Sequence, residues 1–140
     1  MSNVFEEIEY STELPSIDDY WNLFGTTGWN GEYNFEKSDL EKAIKNSWYS
    51  ISAYHQNVLV GFGRVIADGV NHALIVDVII HPVHQNRGIG RQILRRLVEK
   101  CEEHHIRDIQ LFAAKGKTGF YEKFGFEPRP ADAPGMQLKR

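Results

Sequence analysis

The sequence predicts an α/β (α+β) fold, in which a mixed sheet carries helices on its faces. Residues 48–54 and 58–67 lie on either side of a short polar turn, which indicates a hairpin. Residues 73–80, ALIVDVII, form an apolar run of strand length, typical of a strand covered on both faces. Residues 88–104 then predict an amphipathic helix, and residues 108–114 predict another strand.

The remaining elements are shorter. Ser16 and Ser38 each precede acidic residues, and this pattern predicts the starts of two helices. The glycine-rich segment 25–31 between them predicts a loop without regular structure. Three further elements complete the prediction: a first strand at 4–10, a helix at 119–124 and a last strand at 136–138.

The composition indicates one globular domain over residues 1–140. Hydrophobic residues make up 41% and charged residues 25%, a mixture that argues against a disordered chain. The single cysteine, Cys101, excludes an internal disulfide framework and favours a reducing, cytoplasmic location. No apolar run approaches the ~18 residues of a membrane helix, and the acidic start MSNVFEEIEY differs from a secretory signal. No membrane partner is therefore expected.

The charge is divided unevenly between the two halves of the chain. Residues 1–70 hold 11 acidic and 4 basic residues, whereas residues 71–140 hold 8 and 12. The asymmetry indicates a site for a cation beside a site for an anion, and chance clustering of surface charge is the alternative. The net charge of −3 argues against a nucleic-acid partner, because such domains carry a basic excess.

The start of the long helix predicts the anion site. Gly88 and Gly90 leave its first N–H groups open to a phosphate. Four arginines lie in the N-terminal half of the helix, where the helix dipole disfavours positive charge by ~0.3–1 kcal/mol per residue. A bound polyanion would offset that cost. The alternative is a solvated arginine face whose glycines serve only the turn. These arginines are Arg87, Arg91, Arg95 and Arg96.

Two common nucleotide-binding patterns are incomplete in this sequence. An isoleucine follows both Gly61-Phe62-Gly63 and Gly88-Ile89-Gly90 where the third glycine of GxGxxG belongs. Leu111 stands where a P-loop ending in Gly116-Lys117-Thr118 needs its first glycine. The phosphate-bearing ligand is therefore predicted to be neither NAD nor ATP.

Two other motifs resemble those of a known family. Gln85-x-x-Gly88-x-Gly90, after an apolar strand, matches the Q/R-x-x-G-x-G/A signature of the GCN5-related N-acetyltransferase (GNAT) superfamily. Residues 119–128, GFYEKFGFEP, resemble its aromatic C-terminal motif, FYxKxGF. The resemblance covers residues 48–138. The stretch DVIIHPVHQNRGIG is most similar to bacterial relatives of plant arylalkylamine (serotonin-type) N-acetyltransferases.

The resemblance implies the GNAT fold, a central mixed, mostly antiparallel sheet with helices on both faces. It also implies direct transfer of an acetyl group from acetyl-CoA to a primary amine of a small molecule, in a ternary complex. Pyrophosphate would lie on the N–H groups of residues 85–90, and pantetheine would pair with residues 78–80, where one N–H polarises the thioester carbonyl. Dimers are common in this superfamily, so a homodimer is a further expectation. The implied cofactor-binding residues are Val78, Ile79, Ile80, Gln85, Asn86, Arg87, Gly88, Ile89, Gly90, Arg91 and Phe120.

Tyr121 matches the position of the family's general acid, which protonates the departing thiolate. Its alternative role is that of one more aromatic residue in the core or in the cofactor wall. Asp77 is the leading candidate for the base that accepts the amine proton, because it is the only charge in its apolar strand. It is expected on the same side as Ile75 and Ile79, and a salt bridge to the neighbouring strand is its alternative role.

Histidines offer a second choice of base. His81 and His84 could act through water, since histidine titrates nearest to neutral pH, and Glu32 is a weaker candidate. No metal is predicted, because no cysteine or carboxylate completes a ligand set with the histidines.

Aromatic and acidic residues of the N-terminal half predict the acceptor site. Trp29, Glu32 and Tyr33 would suit a small cation with an aromatic body, such as an arylalkylamine. Packing of the first helices onto the sheet is the alternative for each aromatic residue. The rival functions are a non-catalytic acyl-CoA sensor and an acetyltransferase that acts on protein or peptide amines.

Overall fold

The predicted hairpin lies at the centre of the sheet. In the computed structural model, which describes residues 7–140, β2 (Tyr49–His55) and β3 (Val58–Ala67) pair antiparallel. Gln56 and Asn57 connect them with φ of 50° and 65°. Positive φ at both central residues is typical of the type I′ turn, whose twist matches that of a hairpin.

The sheet is mixed and mostly antiparallel, as predicted. Its order is β1-β2-β3-β4-β5, with β1 at Ile8–Ser11, β4 at His72–Ile80 and β5 at Asp108–Leu111. Only the pair formed by β4 and β5 is parallel among the described strands. A helix joins these two strands, as a parallel connection requires.

Helices cover both faces of the sheet and bury two separate cores. On one face, α4 packs Ile93, Leu94 and Leu97 against β2, β3 and β4. On the other face, α1 and α3 enclose Tyr20, Phe62 and their neighbours. The helices are α1 (Ile17–Gly25), α2 (Asn30–Tyr33), α3 (Lys37–Lys45), α4 (Ile89–Glu103) and α5 (Thr118–Glu122).

Two glycines of β3 allow α4 to lie close to the sheet. A Cβ added at Gly63 would stand 2.8 Å from Ile93 Cγ2 and 3.0 Å from Leu97 Cδ1. At Gly61 the same test gives 3.0 Å to Ile93 Cδ1. The Gly-x-Gly pattern of this strand therefore serves helix packing.

Gly63→Ala is expected to lower the free energy of unfolding by ~1–3 kcal/mol, because branched core side chains must move to admit the methyl group. The control is Gly31→Ala, since a Cβ at Gly31 meets no atom within 4 Å. Urea unfolding of both variants measures the difference. Equal stabilities would contradict the close-packing role of Gly63.

Several predicted boundaries were wrong. Ser38 does not begin the third helix: α3 starts at Lys37, because Glu36 and Asp39 form a reciprocal capping box. The segment 25–31 is not all loop, since α2 begins within it at Asn30. The strand predicted to reach residue 114 ends at Leu111. Residues 4–6 of the predicted first strand lie outside the described residues.

The predicted last strand at 136–138 does not form. Met136 and Leu138 are 86% and 72% exposed. Alternation of apolar and polar residues indicates a strand only where a neighbouring strand is available for pairing, and β5 has no described partner on its outer side.

A bulge at Asp77 interrupts β4. Arg64 pairs with Val76 and Phe62 pairs with Ile79, so two residues of β4 stand opposite Gly63 alone. Asp77 has φ of 54°, in the left-handed region. Ile75 therefore packs in the α4 core and Ile79 in the α1 core. The prediction that both share one side with Asp77 was wrong, because the extra residue inverts the alternation.

Candidate active site

A cavity of about 720 Å³ lies where β4 and β5 separate. β5 pairs with residues 72–75 of β4, and the described chain offers no strand partner to the same edge beyond them. Val78, Ile79 and Ile80 line the cavity there. The edge of β4 is therefore open to pair with an extended ligand, which the GNAT resemblance implies for pantetheine.

The N-terminus of α4 forms one end of this cavity. Gly88 is its N-cap with φ of 86°, and no described side chain caps the helix. The Gln85 side chain donates to the Ile80 carbonyl (Nε2–O 3.0 Å) and so ties the loop to the end of β4. Asn86 is also left-handed, with φ of 64°. The first N–H groups of α4 are thus available to an anion.

The position of Gly90 has room only for a small residue. A Cβ there would stand 3.5 Å from Ile80 Cγ1 and 3.6 Å from Phe120 Cζ, both ordinary contact distances. Alanine fits at this position, whereas a longer side chain would enter the cavity between β4 and α5.

The charged side chains that line the cavity are all basic. Arg91, Lys117 and Lys123 line it, and none of its described lining residues is Asp or Glu. A site of this charge suits a polyanion such as the phosphates of CoA. The sequence analysis missed both lysines as site residues, although Lys123 is the lysine of the FYxKxGF motif.

Tyr121 reaches the cavity from α5, between two other rings. Its ring centroid lies 5.1 Å from that of Phe120 and 6.2 Å from that of Phe126. Its hydroxyl makes no hydrogen bond to any described residue, and burial raises the pKa of this phenol above its ordinary value of 10.0. The group therefore stays protonated at neutral pH and has its donor available for a ligand.

His84 lines the cavity at the end of a short 3-10 turn, Pro82–His84. Its ring centroid lies 5.2 Å from that of His55 and 6.0 Å from that of His81. The Val83 N–H donates to His81 Nδ1 at 3.2 Å, so His81 caps the turn. His84 is the histidine of this group that reaches the cavity.

Asp77 does not line the cavity. Its carboxylate accepts from Arg64 Nε at 2.8 Å, within the face of the sheet that α1 and α3 cover. The structure thus shows the salt bridge to the neighbouring strand that was the alternative to a role as base.

Of the predicted acceptor residues, Trp29 alone lines the cavity. Its ring packs edge-on against Phe24 at 5.8 Å. Tyr33 stacks on Phe35 and is 60% exposed, and neither Tyr33 nor Glu32, which both belong to the short helix α2, is part of the lining. Thr26 and Thr27, which the sequence analysis did not single out, lie beside Trp29 in the lining.

The cavity therefore collects most of the predicted site residues. Five predicted residues are outside its lining: Glu32, Tyr33, Asp77, His81 and Arg87. Those inside are Trp29, Val78, Ile79, Ile80, His84, Gln85, Asn86, Gly88, Ile89, Gly90, Arg91, Phe120 and Tyr121.

Residues 7–140 contain neither a membrane-crossing helix nor a metal-binding cluster. No helix there is long and apolar enough to cross a membrane. No three His, Cys, Asp or Glu side chains of this region converge as a metal ion would need.

The sequence is similar to named acetyltransferases. Uncharacterized N-acetyltransferase ycf52 of Pyropia yezoensis is 32% identical over 138 residues, 94% of this chain and 79% of that protein. Serotonin N-acetyltransferase 2, chloroplastic, of Oryza sativa subsp. japonica is 36% identical over 109 residues, 75% and 54% of the two chains. Histone acetyltransferase TAP1 of Glycine max is 33% identical over 110 residues, 71% and 48%.

The fold is similar to those of solved acetyltransferases. A probable acetyltransferase of unknown function from meticillin-resistant Staphylococcus aureus superposes with a TM-score of 0.82 at 26% identity, over 96% of this chain and 100% of that chain. The profile of the Acetyltransferase (GNAT) family matches residues 14–126. This chain is therefore an N-acetyltransferase and belongs to the GNAT family.

Proposed function

We propose that the protein transfers the acetyl group of acetyl-CoA directly to the primary amine of a small arylalkylamine, with both substrates bound together. The observation that carries this proposal is the composition of one cavity. It joins an uncapped helix start and an open strand edge to Tyr121, His84 and Trp29.

The residues of the cavity fit acetyl-CoA. Basic side chains and the N-terminus of α4 match its phosphates, and the open edge of β4 matches its extended amide-bearing arm. The bound thioester supplies an activated acetyl group. N–H groups among residues 78–80 polarise its carbonyl where negative charge develops.

Two side chains move the protons of the reaction. Tyr121 donates its phenolic proton to the departing sulfur as the C–S bond breaks, and the phenolate regains a proton from the nitrogen of the new amide. His84 accepts the proton of the amine, directly or through water, since histidine is the residue type that titrates nearest to neutral pH. Burial of Tyr121 keeps the donor protonated while His84 works as a base.

His84→Gln is expected to reduce kcat/KM at neutral pH by ~100-fold or more. The physical reason is that glutamine hydrogen-bonds but does not titrate. The control is His72→Gln, because His72 pairs with Asp108 at the surface, away from the cavity. Wild-type kcat/KM in His84→Gln would assign the base to another group.

The lining also limits the acceptor. None of the described lining residues is Asp or Glu, so the lining offers no carboxylate to pair with the several charges of a polyamine. The face of Trp29 instead favours a single amine on an aromatic body. The similarity to a protein named serotonin N-acetyltransferase supports the same class.

A protein lysine is the second candidate acceptor, and the similarity to a protein named histone acetyltransferase favours it. Thiol release from acetyl-CoA, followed across phenethylamine, tryptamine, spermidine and a lysine peptide, separates the candidates. We expect turnover on the first two, a raised acceptor KM in Trp29→Leu and an unchanged KM in Tyr33→Leu. Turnover on the peptide alone would replace the arylalkylamine proposal, and acetyl-CoA binding without turnover would indicate a sensor.

A further inference from the structure

The bulge in β4 lies directly before the residues that face the cavity. Asp77 occupies the bulge, and Val78, Ile79 and Ile80 follow it in the lining. Because the bulge inverts the alternation of the strand, it determines which N–H groups of residues 78–80 point to the open edge. A shift of this bulge would turn those groups away from the cavity.

The bulge requires an unfavourable backbone conformation. Asp77 adopts φ of 54°, which costs a non-glycine residue energy that surrounding contacts must offset. The residue opposite is Gly63, whose missing side chain leaves room for α4 and offers the bulge no lateral support. The supporting contact is therefore on the other face of the sheet.

Arg64 supplies that contact from the neighbouring strand. Its Nε donates to the Asp77 carboxylate at 2.8 Å, and its Nη1 donates to the Ala43 carbonyl at 3.1 Å. Its exposed fraction is 12%, against 25% for Asp77. Tyr20, 1% exposed, lies near the pair: burial raises the pKa of its phenol, and the negative charge of Asp77 raises it further. The guanidinium is thus fixed between α3 and the bulge.

We propose that Arg64 and Asp77 form a positioning pair, which holds the β4 bulge so that the N–H groups of residues 78–80 meet the thioester carbonyl in the transition state. Asp77 contacts neither substrate. This role rests on the proposed function, because the pair can assist catalysis only if an acyl thioester binds along β4.

The test compares Asp77→Asn, Arg64→Met and the double variant in steady-state kinetics. Each single change is expected to lower kcat by ~10- to 100-fold, as loss of an oriented oxyanion donor does. The KM for acetyl-CoA should stay within about 2-fold, because the α4 end of the cavity still binds the phosphates. The double variant should be no slower than the slower single variant, since both changes break one contact.

Three control variants separate positioning from folding and from charge. Asp18→Asn breaks the exposed pair between Asp18 and Lys37 (3.0 Å) and should leave kcat unchanged. Arg64→Lys keeps a cation beside Asp77 and should recover most of kcat. Asp77→Gly adopts a positive φ without strain, so it keeps the fold if Asp77→Asn does not.

Two results would overturn the proposal in an active enzyme. Loss of kcat and of its acid-side pH dependence in Asp77→Asn, with kcat retained in Arg64→Met, would make Asp77 the base. A lowered melting temperature with wild-type kcat in both variants would make the pair merely structural.

Hydrogen exchange of the peptide spanning residues 74–80 tests the pair without any acceptor. Faster exchange there in both single variants, with the rest of the sheet unchanged, is expected. Unchanged exchange would overturn the proposal. Absence of acetyl-CoA binding by the wild-type protein would instead contradict the proposed function, so the two failures are distinguishable.

Discussion

Gly88→Asp is expected to weaken acetyl-CoA binding by at least ~100-fold, which corresponds to about 2.7 kcal/mol. The new carboxylate would stand at the N-cap of α4, where the structure leaves the helix N–H groups without a capping side chain. An aspartate there accepts hydrogen bonds from those N–H groups itself, and its negative charge repels a phosphate. Isothermal titration of the protein with acetyl-CoA measures the loss.

Gly88→Asn is the matched control for this variant. Asparagine has almost the same shape as aspartate and tolerates the left-handed backbone that φ of 86° requires, but it carries no charge. We expect it to bind acetyl-CoA more tightly than Gly88→Asp by at least ~10-fold. Equal affinities in the two variants would show that the size of the side chain, rather than its charge, weakens acetyl-CoA binding. Wild-type affinity in Gly88→Asp would contradict the pyrophosphate site.

Tyr121→Phe is expected to lower kcat by ~100- to 1,000-fold, in the range that a positioned general acid contributes. The affinity for acetyl-CoA should change by less than about 2-fold, because the aromatic ring and its contacts with Phe120 and Phe126 remain. Tyr49→Phe is the control, since it removes the hydroxyl of a tyrosine outside the cavity. Equal losses of kcat and affinity would assign Tyr121 a packing role.

The pH dependence of this step has a defined sign. In the proposed mechanism the acid form of Tyr121 is the active one, and burial raises the pKa of this phenol above 10.0. Activity should therefore persist as the pH rises and fall only above about pH 10, once the phenol loses its proton. A fall that begins well below pH 9 and is absent from Tyr121→Phe would contradict the raised pKa.

Local patterns were sufficient to predict the hairpin, α4 and the residues of both family motifs. Each of these depends on neighbours within a few residues: a two-residue turn, a repeating apolar stripe, or glycines at the start of a helix. The predicted bounds of β3, residues 58–67, agree with the structure for this reason, and α4 lies within one residue of its predicted bounds, 88–104, at each end.

The predictions that failed depend on contacts between distant segments. Asp77 is held by Arg64 on another strand and lies in a bulge. A prediction that assumes strict two-residue alternation along the strand cannot anticipate a bulge. Tyr33 belongs to α2, a helix that the glycine-rich segment did not predict, and lies outside the cavity lining. Lys117 belongs to the cavity only because α5 folds over it, and an isolated lysine in a sequence gives no such signal.

We propose that the acetyl group passes directly from thioester to amine inside this one cavity. A single-turnover experiment tests it, with protein in excess over acetyl-CoA, tryptamine present, and mass spectrometry of the quenched mixture. Direct transfer predicts one N-acetyltryptamine for each CoA released and no acetylated protein at any time, and the rate should be at least ~100-fold lower in Tyr121→Phe. A transient acetyl group on the protein, above all on the buried Cys101, would contradict direct transfer.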